Sequence, residues 1–533
     1  MRKEIRSFVF LISALAGFSA VAADVVPAPR VLTPGTGAYE VSVPIVCPKY
    51  DWWDCDYRER CLAAAKIAHV PDASLPREGY GLKVAQDGIE ISSSDEAGRF
   101  YALQTLRQMS ALVSTNRLSV PCCTIRDWPS FRWRGLQMDV ARHFFGKTDI
   151  RRMLDTRAEF KLNVFHWHLT DDQGWRLDLK SHPELVEYGA VRPYSVRYGT
   201  HVRWLPPEKK REQEFDTDRY GPFFYTREDV REIVDYARKL HISVVPEIEM
   251  PGHVRAFLAA HPECACRGAE LPRVPSCKWV IEDDVLCVGN DECLRIFEEI
   301  FDEVCEIFPD APYIHIGGDE CPRTRWKGCP KCQARMKAIG AKDEGGLQAW
   351  ITSRVVRHLE AKGRRVIGWD ELLAGDVPNS TVGMSWRISA KGGSGTAFVS
   401  AAEAAARGHD IVLTPTDSCY LDTHQGIESD PNPYLAPWRT PVTLKKVYSF
   451  DPLSGIAESD RGHVLGAQAN LWSEETHNVT QLEWKAWPRA CALAEVLWLG
   501  ADRPGFDDFC RRMAVRRKDL IGRQVNCAPI TTD

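Results

Sequence analysis

Eight short apolar, strand-like runs, separated mostly by amphipathic helical stretches, predict a (β/α)8 barrel of the TIM type preceded by a small α+β domain. Three observations carry this reading. The β-then-α alternation starts after Asp127-Trp128-Pro129 and fills roughly 370 residues, within the usual size of that fold. Ahead of that break the pattern is different, a hairpin signal followed by one helix. The alternative, a doubly wound open sheet, lacks the Gly-x-Gly-x-x-Gly that would open a helix after its first strand.

In chain order, Arg2, Lys3 and Arg6 form a positive segment, residues 8–18 a short apolar run, and Ala20, Ala22 and Ala23 a small-residue stretch. This is the pattern of a secretory signal peptide cut near Ala22 or Ala23, so residues 1–23 are set apart from the fold and export, periplasmic or secreted, is expected. No other stretch approaches ~20 uninterrupted apolar residues, and no membrane span is expected. Lys+Arg minus Asp+Glu is 68 − 73 = −5, which argues against a nucleic-acid partner.

Residues 24–128 form the predicted accessory α+β domain. The stretch 81–94 alternates around Asp87-Gly88 as a hairpin does, and 96–113 places Phe100, Leu103, Leu106 and Met109 at helical spacing. From 129 to 533 the predicted barrel strands are 136–140, 163–168, 242–247, 313–317, 365–369, 381–386, 410–415 and 464–470. Helices are expected at 148–161, 226–240, 291–308, 348–362 and 400–407, with a C-terminal one at 481–499. Segments 174–222, 379–395 and 416–462 read as insertions.

In a barrel of this kind the chemistry sits at the C-terminal strand ends. Those ends carry Asp139, Arg142 and His143; His166, His168, Asp171 and Asp172; Glu247, Glu249 and His253; and Asp319-Glu320. The later four carry Trp369-Asp370-Glu371, Trp386-Arg387, Tyr420 with Asp422, and Trp472 with Glu474. Carboxylates and Trp on one rim, in a chain with 17 Trp, point to a carbohydrate site. Asp319 and Glu320 are neighbouring carboxyls after two glycines. Repulsion and burial can drive their pKa values apart, leaving one ionised and one protonated as a general acid. Arg134 opens its strand and reads as a structural ion-pair partner, Trp350 as helix core, and Asp370 and Glu371 as either site residues or loop caps.

Two rival chemistries stand beside this. His166 and His168 share one face of their strand, and with His253 and His315 resemble a metal-dependent hydrolase, although such chemistry does not call for three Trp at strand ends. A sugar-binding module without catalysis is the other, opposed by the intact carboxyl pair. The 18 cysteines of an exported chain suggest disulfides or inert buried thiols. Cys329-Pro-Lys-Cys332 has the spacing of half a zinc site, but no second Cys-x2-Cys pair is present.

The stretches "HIGGDEC" (315–321), "DVARHF" (139–144), "NVFHWHLTDDQGWR" (163–176), "VVPEIEMPGHV" (244–254), "VIGWDE" (366–371) and "QANLWSEE" (468–475) resemble glycoside hydrolase family 20, the β-N-acetylhexosaminidases. The likeness spans nearly the whole mature chain, including "GRFYALQTLRQM" (98–109) in the accessory domain. It implies an exo-acting, retaining enzyme without metal or cofactor, in which the substrate's own acetamido oxygen is the nucleophile and an oxazolinium the intermediate. Its substrates would be glycans with terminal β-linked N-acetylhexosamine. By resemblance Glu320 is the general acid and base, and Asp319 holds the acetamide N–H. Tyr420 donates to the acetamide oxygen, and Trp369, Trp386 and Trp472 wall the acetyl pocket. Arg142, Asp422 and Glu474 bind hydroxyls, while Asp171 and His253 form a relay behind Glu320. Glu249 departs from the commoner Asp of the pattern.

Overall fold

The computed structural model describes residues 24–44, 57–114, 116–196, 215–217, 219–389, 397–427 and 440–532. The export signal read at 1–23 and parts of the three insertions lie outside these. The chain divides into two compact units: one runs up to Arg132 and adds Thr156–Leu162 and Cys491–Asp533, the other comprises Trp133–Asp155 and Asn163–Ala490. Among the described residues no helix is long and apolar enough to cross a membrane.

The first unit contains a six-stranded sheet. Val31–Ser42 pairs with Arg117–Asp127, which pairs with Tyr80–Ala85; that strand forms the expected hairpin with Gly88–Ser93, and Ile67–Pro71 adds on in parallel. The helix Glu96–Met109 starts where the Asp95 side chain accepts the Gly98 N–H, an N-cap that satisfies one otherwise orphaned donor. It buries Tyr101, Ala102, Leu106 and Met109, while Phe100 and Leu103 pack only at the edge of the core. The buried face is thus rotated from the one the spacing suggests. Asp127 is the polar anchor of this unit: it accepts from Tyr80 Oη at 2.7 Å and Trp498 Nε1 at 2.9 Å and pairs with fully buried Lys161 at 3.1 Å. A buried charge without such partners would cost several kcal/mol.

The second unit is the barrel. Its strands are β1 (Trp133–Asp139), β2 (Val164–His168), β3 (Ser243–Glu247), β4 (Tyr313–His315), β5 (Arg365–Trp369), β6 (Val382–Ser385), β7 (Ile411–Leu413) and β8 (Val464–Ala469). All pair in parallel, and β8 closes on β1. Every predicted run is a strand, in the predicted order. The interior is filled by Trp133, Val164, Val245, Ile367, Met384, Val412 and Leu465. Strands covered on both faces read as continuous apolar runs, which is why they were visible without alternation.

Helices Lys147–Glu159, Arg227–Lys239, Asp291–Ile307, Glu344–Glu360 and Ala401–Ala406 fall where expected. Thr226 and Asp229 form a capping box at the start of the second of these. The expected helix 481–499 is two, Val479–Ala486 and Arg489–Leu499, because Pro488 has no N–H to continue the ladder. Trp350 is on a helix but is not core; it is half-buried with the Arg335 guanidinium 4.9 Å over its ring. Arg134 is fully buried at the start of β1, its backbone N–H donating to Asn163 Oδ1 at 2.9 Å.

Candidate active site

Chain geometry around β4 presents the carboxyl pair. Gly317 (φ 63°), Gly318 (φ 100°) and Glu320 (φ 46°) all lie in the left-handed region, so the backbone turns sharply out of the strand. A Cβ on Gly317 would lie 1.7 Å from Glu249 Oε2, and one on Gly318 2.3 Å from Leu372 Cδ2, so both positions need glycine for space as well as conformation. The Asp319 side chain is 14% exposed and that of Glu320 27%, which puts Asp319 deeper and Glu320 at the rim.

His253, itself at φ 51°, joins the pair to a second carboxyl group. Its Nε2 lies 3.6 Å from Asp319 Oδ2 and 3.7 Å from Glu320 Oε2, and its Nδ1 is 3.3 Å from both Asp171 Oδ1 and Asp172 Oδ2. Burial alone would weaken His253 as a base, but Asp171 and Asp319 raise it well above the usual imidazole range. It is therefore a cation at neutral pH. Burial pushes the Asp319 carboxyl up to about 7; His253 opposes this, and Glu320, Glu247 and Asp171 add to it. The sequence leaves open which of the two carboxyls burial raises; the structure shows the raised one to be the deeper Asp319. Asp319 Oδ1 is buried and has no hydrogen-bonding partner among the described residues.

Asp171 links this cluster to Arg142. Arg142 Nη2 pairs with Asp171 Oδ2 at 2.7 Å, its Nη1 lies 3.4 Å from Asp139, its Nε donates to Gln173 Oε1 at 3.0 Å, and its guanidinium sits 5.1 Å from the Trp472 ring centre. Burial opposes the charge, yet Asp171, Asp139 and Glu474 hold Arg142 well above its ordinary value. Glu474 is itself shifted upward by burial, with Arg142 pulling the other way.

The aromatic side is continuous. Trp369 and Trp472 have ring centres 5.7 Å apart, Trp472 and Tyr420 6.2 Å, and Tyr420 stacks on Trp386 at 6.2 Å and 24°. Burial, Asp319 and Asp422 all raise the Tyr420 phenol, so it stays a hydroxyl donor. Trp386 is held from behind: its backbone N–H donates to Asp370 Oδ2 at 3.0 Å and its Nε1 to Glu371 Oε2 at 2.9 Å. Asp370 also pairs with Arg387, so Asp370 and Glu371 are buried supports of a wall residue.

A second polar layer lies beneath, centred on Glu247. Its carboxylate accepts from Trp369 Nε1 at 3.0 Å, contacts His315 Nδ1 at 2.7 Å and His166 Nε2 at 3.0 Å, and bonds His168 Nδ1. His168 passes the connection on, Nε2 to Asp171 Oδ2 at 2.9 Å. Burial lowers His166 to about 4, whereas Glu247 and Asp171 outweigh burial at His168 and push it to about 10. Of the His-x-His pair of the metal rival, His168 is hydrogen-bonded to Glu247 and His166 lies 3.0 Å from the same carboxylate. The alternation on β2 and the facing of His168 and Glu247 in the β2–β3 register are the signals for this hub, whose members the strand ends supply without showing how they connect.

All eleven predicted site residues lie on the barrel unit, and direct contacts connect Asp319, Glu320, His253, Asp171, Arg142, Trp369, Trp386, Tyr420 and Trp472. Asp422 and Glu474 enter through their electrostatic influence on Tyr420 and Arg142. The arrangement offers a raised carboxyl, a rim carboxyl, a phenol donor and an aromatic wall within one cluster.

Comparisons with known proteins agree with this geometry. The catalytic-domain model of glycosyl hydrolase family 20 matches residues 131–501, and the family's domain 2 matches 22–128. A beta-hexosaminidase of Porphyromonas gingivalis is 40% identical over 463 residues, which cover 85% of this chain and 55% of the relative, so the chain spans about half that protein's length. A beta-hexosaminidase of Akkermansia muciniphila is 32% identical, covering 84% of this chain and 85% of the relative. Among solved structures, the Vibrio harveyi GH20 exo β-N-acetylglucosaminidase in complex with N-acetylglucosamine superposes with a TM-score of 0.78 at 28% identity, covering 95% of this chain and 78% of that one. The Streptomyces coelicolor A3(2) GH20 β-N-acetylhexosaminidase gives 0.76 at 27%, covering 96% and 99%.

Proposed function

This chain belongs to glycosyl hydrolase family 20, and from that premise we propose that it is an exo-acting β-N-acetylhexosaminidase using a retaining, substrate-assisted mechanism. The observation that carries the reading is the deep Asp319 beside the rim Glu320, both within electrostatic reach of Tyr420, whose ring adjoins those of Trp386 and Trp472. The sugar's acetamide enters the aromatic pocket, where a low local dielectric strengthens each polar contact. Asp319 Oδ1, buried without a partner among the described residues, accepts the acetamide N–H. Tyr420 donates to the acetamide oxygen as it attacks the anomeric carbon. Glu320, nearer solvent, protonates the departing glycosidic oxygen and then takes a proton from the water that opens the oxazolinium. The positive charge developing on that ring favours the ionised form of Asp319, offsetting the burial that raises it. His253 touches both carboxyls and couples them to Asp171.

Arg142, Asp422 and Glu474 line the side where the sugar hydroxyls bind, which restricts the site to chain ends. The preferred substrates are terminal β-linked GlcNAc or GalNAc in oligosaccharides or glycoconjugates. The basic leader, apolar run and small-residue stretch at 1–23 support export to the periplasm or medium.

Nitrophenyl glycosides test the mechanism. N-acetylglucosaminide should be cleaved and glucoside barely, because the latter has no internal nucleophile. Replacing the acetyl methyl hydrogens stepwise by fluorine weakens that nucleophile and should lower kcat stepwise. Comparable turnover of glucoside, or a rate indifferent to fluorination, would overturn the reading.

A further inference from the structure

Four cysteines outside the catalytic cluster converge in the barrel unit. The Sγ atoms of Cys266, Cys287, Cys329 and Cys332 all lie within 4.8 Å of one another. The separations Cys266–Cys332, Cys287–Cys329 and Cys287–Cys332 are each 3.7 Å. Four sulfurs at about 2.3 Å from a central zinc ion sit about 3.8 Å apart along the edges of the tetrahedron. A disulfide would instead need about 2.05 Å. Three independent pairs at one tetrahedral edge length are the spacing of a metal cage.

The backbone is shaped around these sulfurs. Cys329 precedes the helix Pro330–Ala338 and Cys332 lies in its first turn. Ala265 bridges Leu286 in antiparallel fashion and Cys287 N–H donates to Cys264 O at 2.8 Å, which brings Cys266 and Cys287 side by side. The turn after Cys287 then closes on the turn between Cys329 and Cys332. A Cβ on Gly289 would lie 2.2 Å from the Lys331 carbonyl carbon, so no side chain fits there. Cys287, Cys329 and Cys332 are buried, and Cys266 stands at the edge.

We propose that these four cysteines bind one zinc ion as a closed, structural tetrathiolate site. The sequence has no second Cys-x2-Cys pair; the fold supplies the missing half from two single cysteines. Four thiolate ligands leave no open position for substrate or water, and soft sulfur donors in a tetrahedral set select zinc over magnesium or calcium. The dication takes all four sulfurs as thiolates, so binding releases whatever protons they carry.

Its place gives the site a task. From Glu320 the chain runs through the helix Thr324–Gly328 straight to Cys329. Trp326 Nε1 donates to Leu286 O at 2.8 Å, and Leu286 N–H donates to Pro251 O at 2.9 Å, two residues before His253. The ion therefore ties the segment after Glu320 to the loop that carries His253. It holds the two loops in register whatever reaction they serve.

The test is metal analysis of tag-free protein purified without added metal or chelator. About one zinc per chain is expected. Cys332→Ser should lose it, and Cys305→Ser, on the helix Asp291–Ile307 and outside the cage, should keep it. Should Cys332→Ser fail to fold, wild-type protein grown on cobalt decides: a tetrahedral tetrathiolate shows intense visible ligand-field bands and sulfur-to-cobalt charge transfer. A zinc-free folded protein, a non-reduced peptide map with disulfides among these four residues, iron in the zinc's place, or a weak octahedral cobalt spectrum would each overturn the assignment.

Discussion

Replacing His253 by Gln should move the acidic limb of kcat/KM to higher pH. Asp319 is pushed up to about 7 by burial and by Glu320, Glu247 and Asp171, and His253 is the cation that holds it from rising further. If ionised Asp319 is the working form, kcat/KM is at its plateau above that value and falls as pH drops through it. About 10% of the plateau remains one unit below, and about 1% two units below. The His253 imidazolium lies 3.6 Å from Asp319 Oδ2. Two unit charges at that distance attract by about 1 kcal/mol in bulk water and about 5 kcal/mol at an effective dielectric near 20. Removing the cation should therefore raise the limb by about one to three pH units. The assay is kcat/KM from pH 5 to 9 on a nitrophenyl N-acetylglucosaminide, whose leaving group needs no proton, so loss of the general acid does not mask the limb. A limb that stays near 7 or moves to lower pH in a folded His253→Gln variant would refute the placement of His253 against Asp319 as the controlling charge.

Tyr420→Phe should lose on the order of a hundred-fold in kcat, the effect of removing one donor to a developing charge; an unchanged rate in the folded variant would remove Tyr420 from the site. Glu320→Gln should be crippled on disaccharides yet release nitrophenol in the pre-steady state from an aryl glycoside far better, whereas Asp319→Asn should be impaired on both. The reverse pattern would exchange the two roles. Glu247→Gln should cost about 3–5 kcal/mol of stability, because it strips the charge partner from buried His168, whose own pKa stands at about 10. Urea denaturation measures it, and a loss below about 1 kcal/mol would show that the hub is held by packing instead.

The barrel was legible because each strand is buried on both faces and reads as an apolar run bounded by polar residues. The helix boundaries held within a few residues for the same kind of reason, a local cap or a proline. What failed was local spacing that tertiary packing overrides. Phe100 and Leu103 keep the helical period of Leu106 and Met109, yet the sheet selects a face turned toward Tyr101 and Ala102. Trp350 looks like core by composition, but its ring serves as a platform for Arg335. The four cysteines illustrate the limit most clearly. Two of them advertise a turn by their spacing, and the other two acquire meaning only when Ala265 bridges Leu286.

The site's composition could be read from strand ends, but its electrostatics could not, because these depend on depth. Neighbouring carboxyls are equivalent in sequence, and the left-handed turn at Gly317, Gly318 and Glu320 makes them unequal by sending one inward and one to the rim. That turn packs against a residue from the loop that follows β3. The space a Gly317 side chain would take is filled by the Glu249 carboxyl, which burial, Asp319 and Glu247 raise well above the ordinary range. Because burial and both neighbouring carboxylates oppose its ionisation, the longer acid fits under the turn while adding less anionic charge beside Asp319. The two glycines, the unusual Glu249 and the raised Asp319 are thus one structural solution: a strand end bent sharply enough to bury one carboxyl, over a neighbour whose own ionisation burial opposes.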